Sequence, residues 1–354
     1  MPTSGSGRWP AARARASPFS RALAGLGEQG ILRAIRPYLT PAKGDLLLGA
    51  REDDDAAVWR SPGGALVATV DTMVEGRDFR LDWPGFGFRL LGRRLMSVNL
   101  SDLAAMGADP GHALVSLALT PRLGIDDLRA LYRGIADRAR SARCTIAGGD
   151  VSATSGPLVL TVALLGHLPD GRRPLTRRGA RAGWTVAVTG VLGRAAAGLR
   201  LLLEGRGPRT AAERRWVRAL FDPQPRLLAA RQLQAAGVRV AGDVSDGIYR
   251  ELQRIAEPAG LGVLVDADRL PLDADLRREG KRAWTQGLIE SEDYELVCAA
   301  PARVIAAAQR RLRSGSRLRL TPIGSLTATP GIRVRSQGAT VSIPRSRAGY
   351  DHFG

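Results

Sequence analysis

The sequence predicts an α+β protein in two halves, each a mixed sheet with helices laid over it, the second half tending towards α/β. Three observations predict it. A chain of 354 residues is longer than a single hydrophobic core usually serves. The first half alternates short apolar runs with amphipathic stretches in the order β, β, α, β, α, β, β, a layered pattern rather than a strict βαβ repeat. Residues 166–183 are too dense in Pro, Gly and Arg to continue an element, and they mark the junction. The limits drawn are a basic disordered tail over 1–26, an N-terminal domain over 27–168 and a C-terminal domain over 169–354.

Taken in order, residues 1–26 hold Arg8, Arg13, Arg15 and Arg21 with no acid, resembling a transit segment in composition but lacking a secretory apolar core. Ile31, Leu32, Ile35 and Leu39 give one amphipathic helix over 30–39. Strands are expected at 46–48 and 65–70, and a helix at 86–106. Ala113–Leu119 reads as a strand with a Thr-Pro stop. In 126–141, Leu128, Leu131, Ile135 and Ala139 share one helical face, and Asp126 and Asp127 suit its positive N-terminus. Strands at 145–147 and 158–165 complete the first sheet.

Beyond the junction, 185–189 reads as a strand, and Gly190 and Gly193 open a helix over 194–204. Residues 205–215 are expected to be a polar loop, and Asp222-Pro-Gln-Pro-Arg226 starts another helix. Strands at 238–240, 262–265 and 296–299 form a second sheet, with helices 247–257 and 301–312 over it.

Composition narrows the function classes. Cys144 and Cys298 are the only cysteines and form no CxxC, so neither a disulfide framework nor a zinc site is indicated. No apolar run reaches membrane-spanning length, and the reducing cytoplasm is the expected compartment. The net charge of +18 comes from 52 basic against 34 acidic residues. The arginines are spread along predicted helix faces at 194–218, 226–239 and 303–319, and aromatics make up only 5%. With no nucleic-acid motif and few stacking platforms, a solvated basic surface explains the charge better than a nucleic-acid partner.

The most informative stretch is Ser97-Val-Asn-Leu-Ser-Asp-Leu-Ala-Ala-Met-Gly-Ala-Asp-Pro110. Val98, Leu100, Leu103, Ala104 and Met106 form a helical apolar stripe, and Gly107 and Pro110 end it. Asp102 therefore sits on a mostly buried helix, where a carboxylate needs a partner. Further acids among small residues beside apolar runs are Asp53-Asp54-Asp55, Asp71, Asp150, Asp243 and Asp246. Singly, each reads as a turn acid or helix cap. As a set they point to hard cations and phosphate oxygens. His112, His167 and His352 form no Ser-His-Asp arrangement and read as structural.

Several segments together resemble thiamine-monophosphate kinases, of the superfamily that includes aminoimidazole ribonucleotide synthetase and selenide, water dikinase. They are Val98–Asp109, Gly148-Gly149-Asp150, Leu175-Thr-Arg177 with Gly179-Ala180, Asp243-Val-Ser-Asp-Gly247, Glu292-Asp-Tyr-Glu-Leu296 and Gly349-Tyr-Asp-His-Phe353. The resemblance runs from about Gly27 to the C-terminus. It implies an aminoimidazole ribonucleotide synthetase-like fold, whose N-terminal mixed sheet dimerises into a barrel and whose C-terminal domain is α/β. It implies ATP as co-substrate, Mg2+, direct γ-phosphoryl transfer to thiamine monophosphate, and a homodimer. By position it carries metal binding to Asp55, Thr69, Asp71, Asp102, Asp150, Asp243 and Asp246. It carries nucleotide contacts to Tyr132, Gly149, Asp150, Arg177 and Ser245, and substrate contacts to Asp78, Glu292 and Arg347.

The chain departs from that pattern in places. Arg51-Glu52-Asp53-Asp54-Asp55 stands for Gly-Ile-Gly-Asp-Asp, and Val70-Asp71 for Thr-Asp. Asp78 replaces a His, Glu290-Ser291 replaces Gly-Gly, and Arg347 replaces an aromatic residue. Three of these changes fall at the thiamine end of the substrate, which leaves open a paralogue using ATP on a different acceptor. A catalytically reduced nucleotide-binding protein is the other alternative. A phosphate acceptor is already ionised, so positioning and charge stabilisation rather than a strong base would carry such a reaction.

Overall fold

The computed structural model describes residues 30, 33–39, 41–121, 123–316, 318–341 and 343. The expected tail 1–26, Arg347, His352 and the 349–353 segment lie outside them. Of the helix expected over 30–39, residues 30 and 33–38 are helical, with Arg36–Tyr38 as a 3-10 turn. The described residues from Leu39 onward belong to one compact unit that holds both sheets.

The first sheet contains β1 (Leu46–Leu48), β2 (Ala57–Ser61), β3 (Gly64–Val74), β4 (Asp109–Leu119), β5 (Thr145–Ala153) and β6 (Val159–Pro169). Their order across the sheet is β1-β2-β3-β6-β4-β5. All neighbours are antiparallel except β4 and β5. Period-two alternation divides the faces. Leu160, Val162 and Leu164 of β6 and Ala113, Val115 and Leu117 of β4 are buried under α1 (Phe88–Ala105) and α2 (Ile125–Ser141). The other face is open, with Val70 and Leu114 exposed.

Two features of this sheet differ from expectation. β2 is an additional strand, joined to β3 by the Pro62-Gly63 turn. β5 runs straight through Gly148-Gly149-Asp150, which strand-end acids would have placed in a turn. Pairing with β4 overrides the weak strand propensity of this segment. A Cβ on Gly149 would stand 1.7 Å from the Val115 carbonyl oxygen, so only glycine fits there.

α1 is the centre of the unit. It ends as expected: the Met106 N–H bonds to the Asp102 carbonyl, and Gly107 takes φ 68. Leu91, Leu95, Leu100 and Leu103 enter the core under the first sheet, while Ala104 and Ala105 enter a core of the second half.

The second sheet is built from β7 (Thr185–Thr189), β8 (Val240–Asp243), β9 (Gly262–Asp266), β10 (Leu296–Ala300), β11 (Leu320–Thr327), β12 (Gly331–Ser336) and β13 (Ala339–Val341). The order is β13-β12-β9-β11-β7-β10-β8. Between β7 and β11 lie α3 (Arg194–Leu203), α4 (Ala211–Phe221), α5 (Leu227–Ala235), α6 (Ile248–Ala256), α7 (Lys281–Ile289) and α8 (Ala302–Gly315). Val186, Val188, Val297 and Ala299 pack with Ile248, Leu252 and Leu288 on one face. Ala187, Leu296, Cys298 and Ala300 pack with Leu233, Ile305 and Leu312 on the other. The helices expected over 247–257 and 301–312 therefore cover opposite faces.

The loop expected over 205–215 is corrected. α4 begins at Ala211, because Thr210 and Glu213 form a reciprocal capping box, the Thr210 hydroxyl taking the Glu213 N–H at 3.1 Å. α7 and β11–β13 were also unanticipated; Pro322 and Gly324 flank a register shift that breaks the strand pattern of β11. Among the described residues, no helix is long and apolar enough to cross a membrane.

Candidate active site

Four segments bring carboxylates together. The turn before β2 supplies Asp54 and Asp55, β3 supplies Thr69 and Asp71, α1 supplies Asp102, and the end of β8 with the following turn supplies Asp243, Ser245 and Asp246. Carboxylate oxygens of Asp55, Asp102 and Asp243 all lie within 4.8 Å of one another. Small polar groups fix their orientation. Thr69 Oγ1 donates to Asp102 Oδ2 at 2.6 Å, and Ser101 Oγ donates to Asp243 Oδ2 at 2.8 Å. Ser245 Oγ lies 3.3 Å from Asp243 Oδ1. The Asn99 side-chain Oδ1 accepts the Asp71 backbone N–H at 3.1 Å.

The cluster is short of positive charge. Burial pushes the Asp71 carboxyl up to about 7, and Asp243, Asp246 and Asp78 add to it. Burial, then Glu251, pushes Asp243 up to about 6. Burial pushes Asp54 up to about 6 despite Arg177. Asp55 and Asp102 are also held well above the carboxylate range, by burial first and by neighbouring acids. Arg177, only 4% exposed, is the main counter-charge. Its Nε and Nη2 bind the two Glu251 oxygens at 2.6 and 3.0 Å, and Nη2 also pairs with Asp55 Oδ1. Asp55 Oδ2 is buried with no hydrogen-bond partner. Oxygen-only donors around such an orphaned oxygen fit a hard divalent cation of the magnesium type, and no thiolate or imidazole belongs to the group.

A second group adjoins the first. Arg94, on α1 with its side chain 4% exposed, donates from Nη2 to Glu292 Oε1 at 2.5 Å and from Nη1 to the Leu220 carbonyl. The Tyr294 hydroxyl donates to the same Glu292 oxygen at 3.1 Å. Tyr294 itself sits at φ 52, and its N–H bonds to the Val244 carbonyl, which ties this segment to the Asp243 turn. Asp78 takes the Val74 N–H at 2.7 Å and acts electrostatically on both Asp71 and Arg94.

The 292–295 motif divides into two roles. Glu292 and Tyr294 face this group. Asp293 instead accepts the Gly193 and Ala195 N–H groups at 2.6 and 3.0 Å at the start of α3, and Glu295 binds Arg226 and Thr189.

Of the residues singled out in the sequence, Asp55, Thr69, Asp71, Asp102, Asp243, Ser245, Asp246 and Arg177 converge, with Asp78 and Glu292 adjoining. Three others do not. Asp150 is exposed on β5, opposite Ser116, on the open face of the sheet. Asp71 lies on the other face, three strands and so roughly 14 Å away. Gly149 shares that distance but pairs within the sheet. Tyr132 packs on the core beneath the first sheet. Arg94 and Glu251 were missed. Arg94 stands beside Arg93 in the helical run 88–96, and Glu251 is one acid within the amphipathic run 248–256, so neither carried a local signal.

Comparison with known proteins follows this geometry. Residues 53–168 match the family model "AIR synthase related protein, N-terminal domain", and residues 181–337 match the corresponding C-terminal domain. A thiamine-monophosphate kinase of Escherichia coli is 34% identical over 92% of this chain and 98% of its own. One from Caulobacter vibrioides is 32% identical over 91% of this chain and 89% of its own. The solved structure of AaThiL complexed with AMPPCP and TMP superimposes with a TM-score of 0.79 at 27% identity, covering 94% of this chain and 99% of that one.

Proposed function

Since the chain belongs to the thiamine-monophosphate kinase family within the AIR synthase related proteins, we propose that it phosphorylates thiamine monophosphate with ATP, giving thiamine diphosphate and ADP. A solved relative was captured with AMPPCP and TMP, an ATP analogue and the proposed acceptor. The observation that carries the reading is the convergence of Asp55, Asp102 and Asp243, oxygen ligands drawn from three separate segments.

An oxygen of the acceptor phosphate forms a bond to Pγ while the bond from Pγ to the β-phosphate oxygen breaks, and ADP departs with that electron pair. The acceptor is already an anion, so no residue need remove a proton. Two polyphosphate chains repel, and neutralising that charge is the first requirement. Asp55, Asp102 and Asp243, with Asp71, Asp246 and Thr69 beside them, would hold magnesium, which supplies charge neutralisation and Lewis-acid polarisation of phosphate oxygens. Arg177 holds Asp55 and Glu251 in place through its guanidinium. Glu292 and Asp78 supply negative charge suited to a cationic ring.

The same reading includes a homodimer, formed through the open face carrying Val70 and Leu114. A second copy is also the route by which Asp150, turned away from its own cluster, can serve a site. The protein is placed in the cytoplasm, with the domain boundary at 168/169.

The test is purified full-length protein with ATP, magnesium and thiamine monophosphate, assayed for the diphosphate by chromatography. Formation of thiamine diphosphate with matching ADP is expected. Nucleotide binding without diphosphate would transfer the activity to another acceptor, and loss of nucleotide binding would end the kinase reading.

A further inference from the structure

We infer that Arg94 is a positioning residue for acceptor recognition: its buried guanidinium fixes Glu292 beside Asp78, with one carboxylate oxygen left to meet a cationic ring. This rests on the kinase reading above and adds to it a residue that determines specificity without touching the substrate.

Three observations carry it. The Arg94 side chain is 4% exposed in the middle of α1, so it meets no ligand directly, whereas the Glu292 side chain it holds is 29% exposed. Both donors on Glu292, Arg94 Nη2 and the Tyr294 hydroxyl, converge on Oε1, and no described hydrogen bond engages Oε2. The guanidinium is also anchored from behind by the Leu220 carbonyl, through a different nitrogen from the one that holds Glu292, a fixed spacing that the planar fork supplies.

The cost of the arrangement argues that it has a use. Arg94 Nε is buried without a partner, and a buried ion pair is seldom more stable than an apolar residue of similar volume. Leu91 and Leu95, on the flanking turns of the same helix, enter the core with apolar side chains. What the arginine provides, and a leucine would not, is a Glu292 carboxyl group held in one position close to Asp78. Paired with an oriented carboxylate, a cationic ring gains a charge-assisted contact in a partly desolvated place.

The experiment is a double-mutant cycle in the full-length enzyme, with Arg94→Met, Glu292→Gln and the double variant, varying ATP and thiamine monophosphate separately. Arg94→Met is expected to raise the acceptor KM about tenfold or more, the scale of a lost charged hydrogen bond, with the ATP KM unchanged within about twofold. The double variant should be no worse than Glu292→Gln alone, because Arg94 acts through Glu292. Equal rises in both KM values, or additive losses in the double variant, would overturn the assignment and leave Arg94 as a tie between α1 and α4. Arg94→Lys keeps the charge without the fork; it is expected to fall between wild type and Arg94→Met, and it serves the same cycle if Arg94→Met does not fold. Wild-type protein that makes no thiamine diphosphate would instead defeat the kinase reading, and this inference with it.

Discussion

Thr69 Oγ1 donates to Asp102 Oδ2 at 2.6 Å, a bond that spans from β3 to α1 and points a carboxylate at Asp55 and Asp243. The hydroxyl favours the ionised form, but burial and three neighbouring acids outweigh it. The result is a carboxylate fixed in place yet short of counter-charge, a design that calls for an added cation.

Replacing that carboxylate tests its role. Asp102→Asn should lower turnover by about a hundredfold, the scale of a lost preorganised electrostatic group. It should also weaken magnesium binding at least tenfold while leaving the circular dichroism spectrum unchanged. Magnesium titrations of activity check this; wild-type turnover at limiting magnesium would remove Asp102 from the site.

The raised acids make a prediction about pH. Asp71 titrates at about 7, and Asp54 and Asp243 at about 6, in the folded chain, against ordinary values near 3.8 when unfolded. Between these limits the folded state binds more protons than the unfolded one, so stability falls as pH rises. The metal-free protein should therefore melt at a higher temperature at pH 5 than at pH 8. Saturating magnesium should flatten that slope by stabilising the ionised forms. Melting curves at both pH values, with chelator and with magnesium, give the comparison.

Arg177 is bound on several sides within the cluster. Arg177→Met would leave Asp55 and Glu251 buried without their counter-charge, a loss of about 3–5 kcal/mol for a broken buried pair. Added magnesium should recover part of it, because a cation can meet the freed Asp55 oxygens. Urea midpoints with and without magnesium measure both effects; an unchanged midpoint in chelator would show that the pairs contribute little.

The open sheet face has its own test. Leu114→Arg places a charge where an exposed leucine stands, 45% accessible on β4. A dimer formed through this face should dissociate to half its mass in sedimentation, with the monomer still folded. A mass unaffected by this change would place any self-association elsewhere.

Much of this arrangement was readable before any coordinates. The apolar stripe of 97–110, with its glycine stop, located α1 and the buried Asp102, because both signals act over one or two helical turns. The pairs that complete the site act over far longer separations. Arg94 and Glu292 are 198 residues apart, and Ser101 and Asp243 are 142 apart, so no local period connects them. Asp150 illustrates a different loss. Whether Gly148-Gly149-Asp150 is a turn or a strand decides which face the acid takes, and pairing with β4 made that choice. The Thr210–Glu213 cap was present in the letters but hidden among arginines that read as a polar loop.

α1 contributes Leu100 and Leu103 to one core and Ala104 and Ala105 to another. Neither half can melt away from it without stripping the shared helix of apolar cover. Heating should accordingly give a single endothermic peak rather than two. Limited proteolysis would release no surviving half, since each lacks a wall that the other supplies.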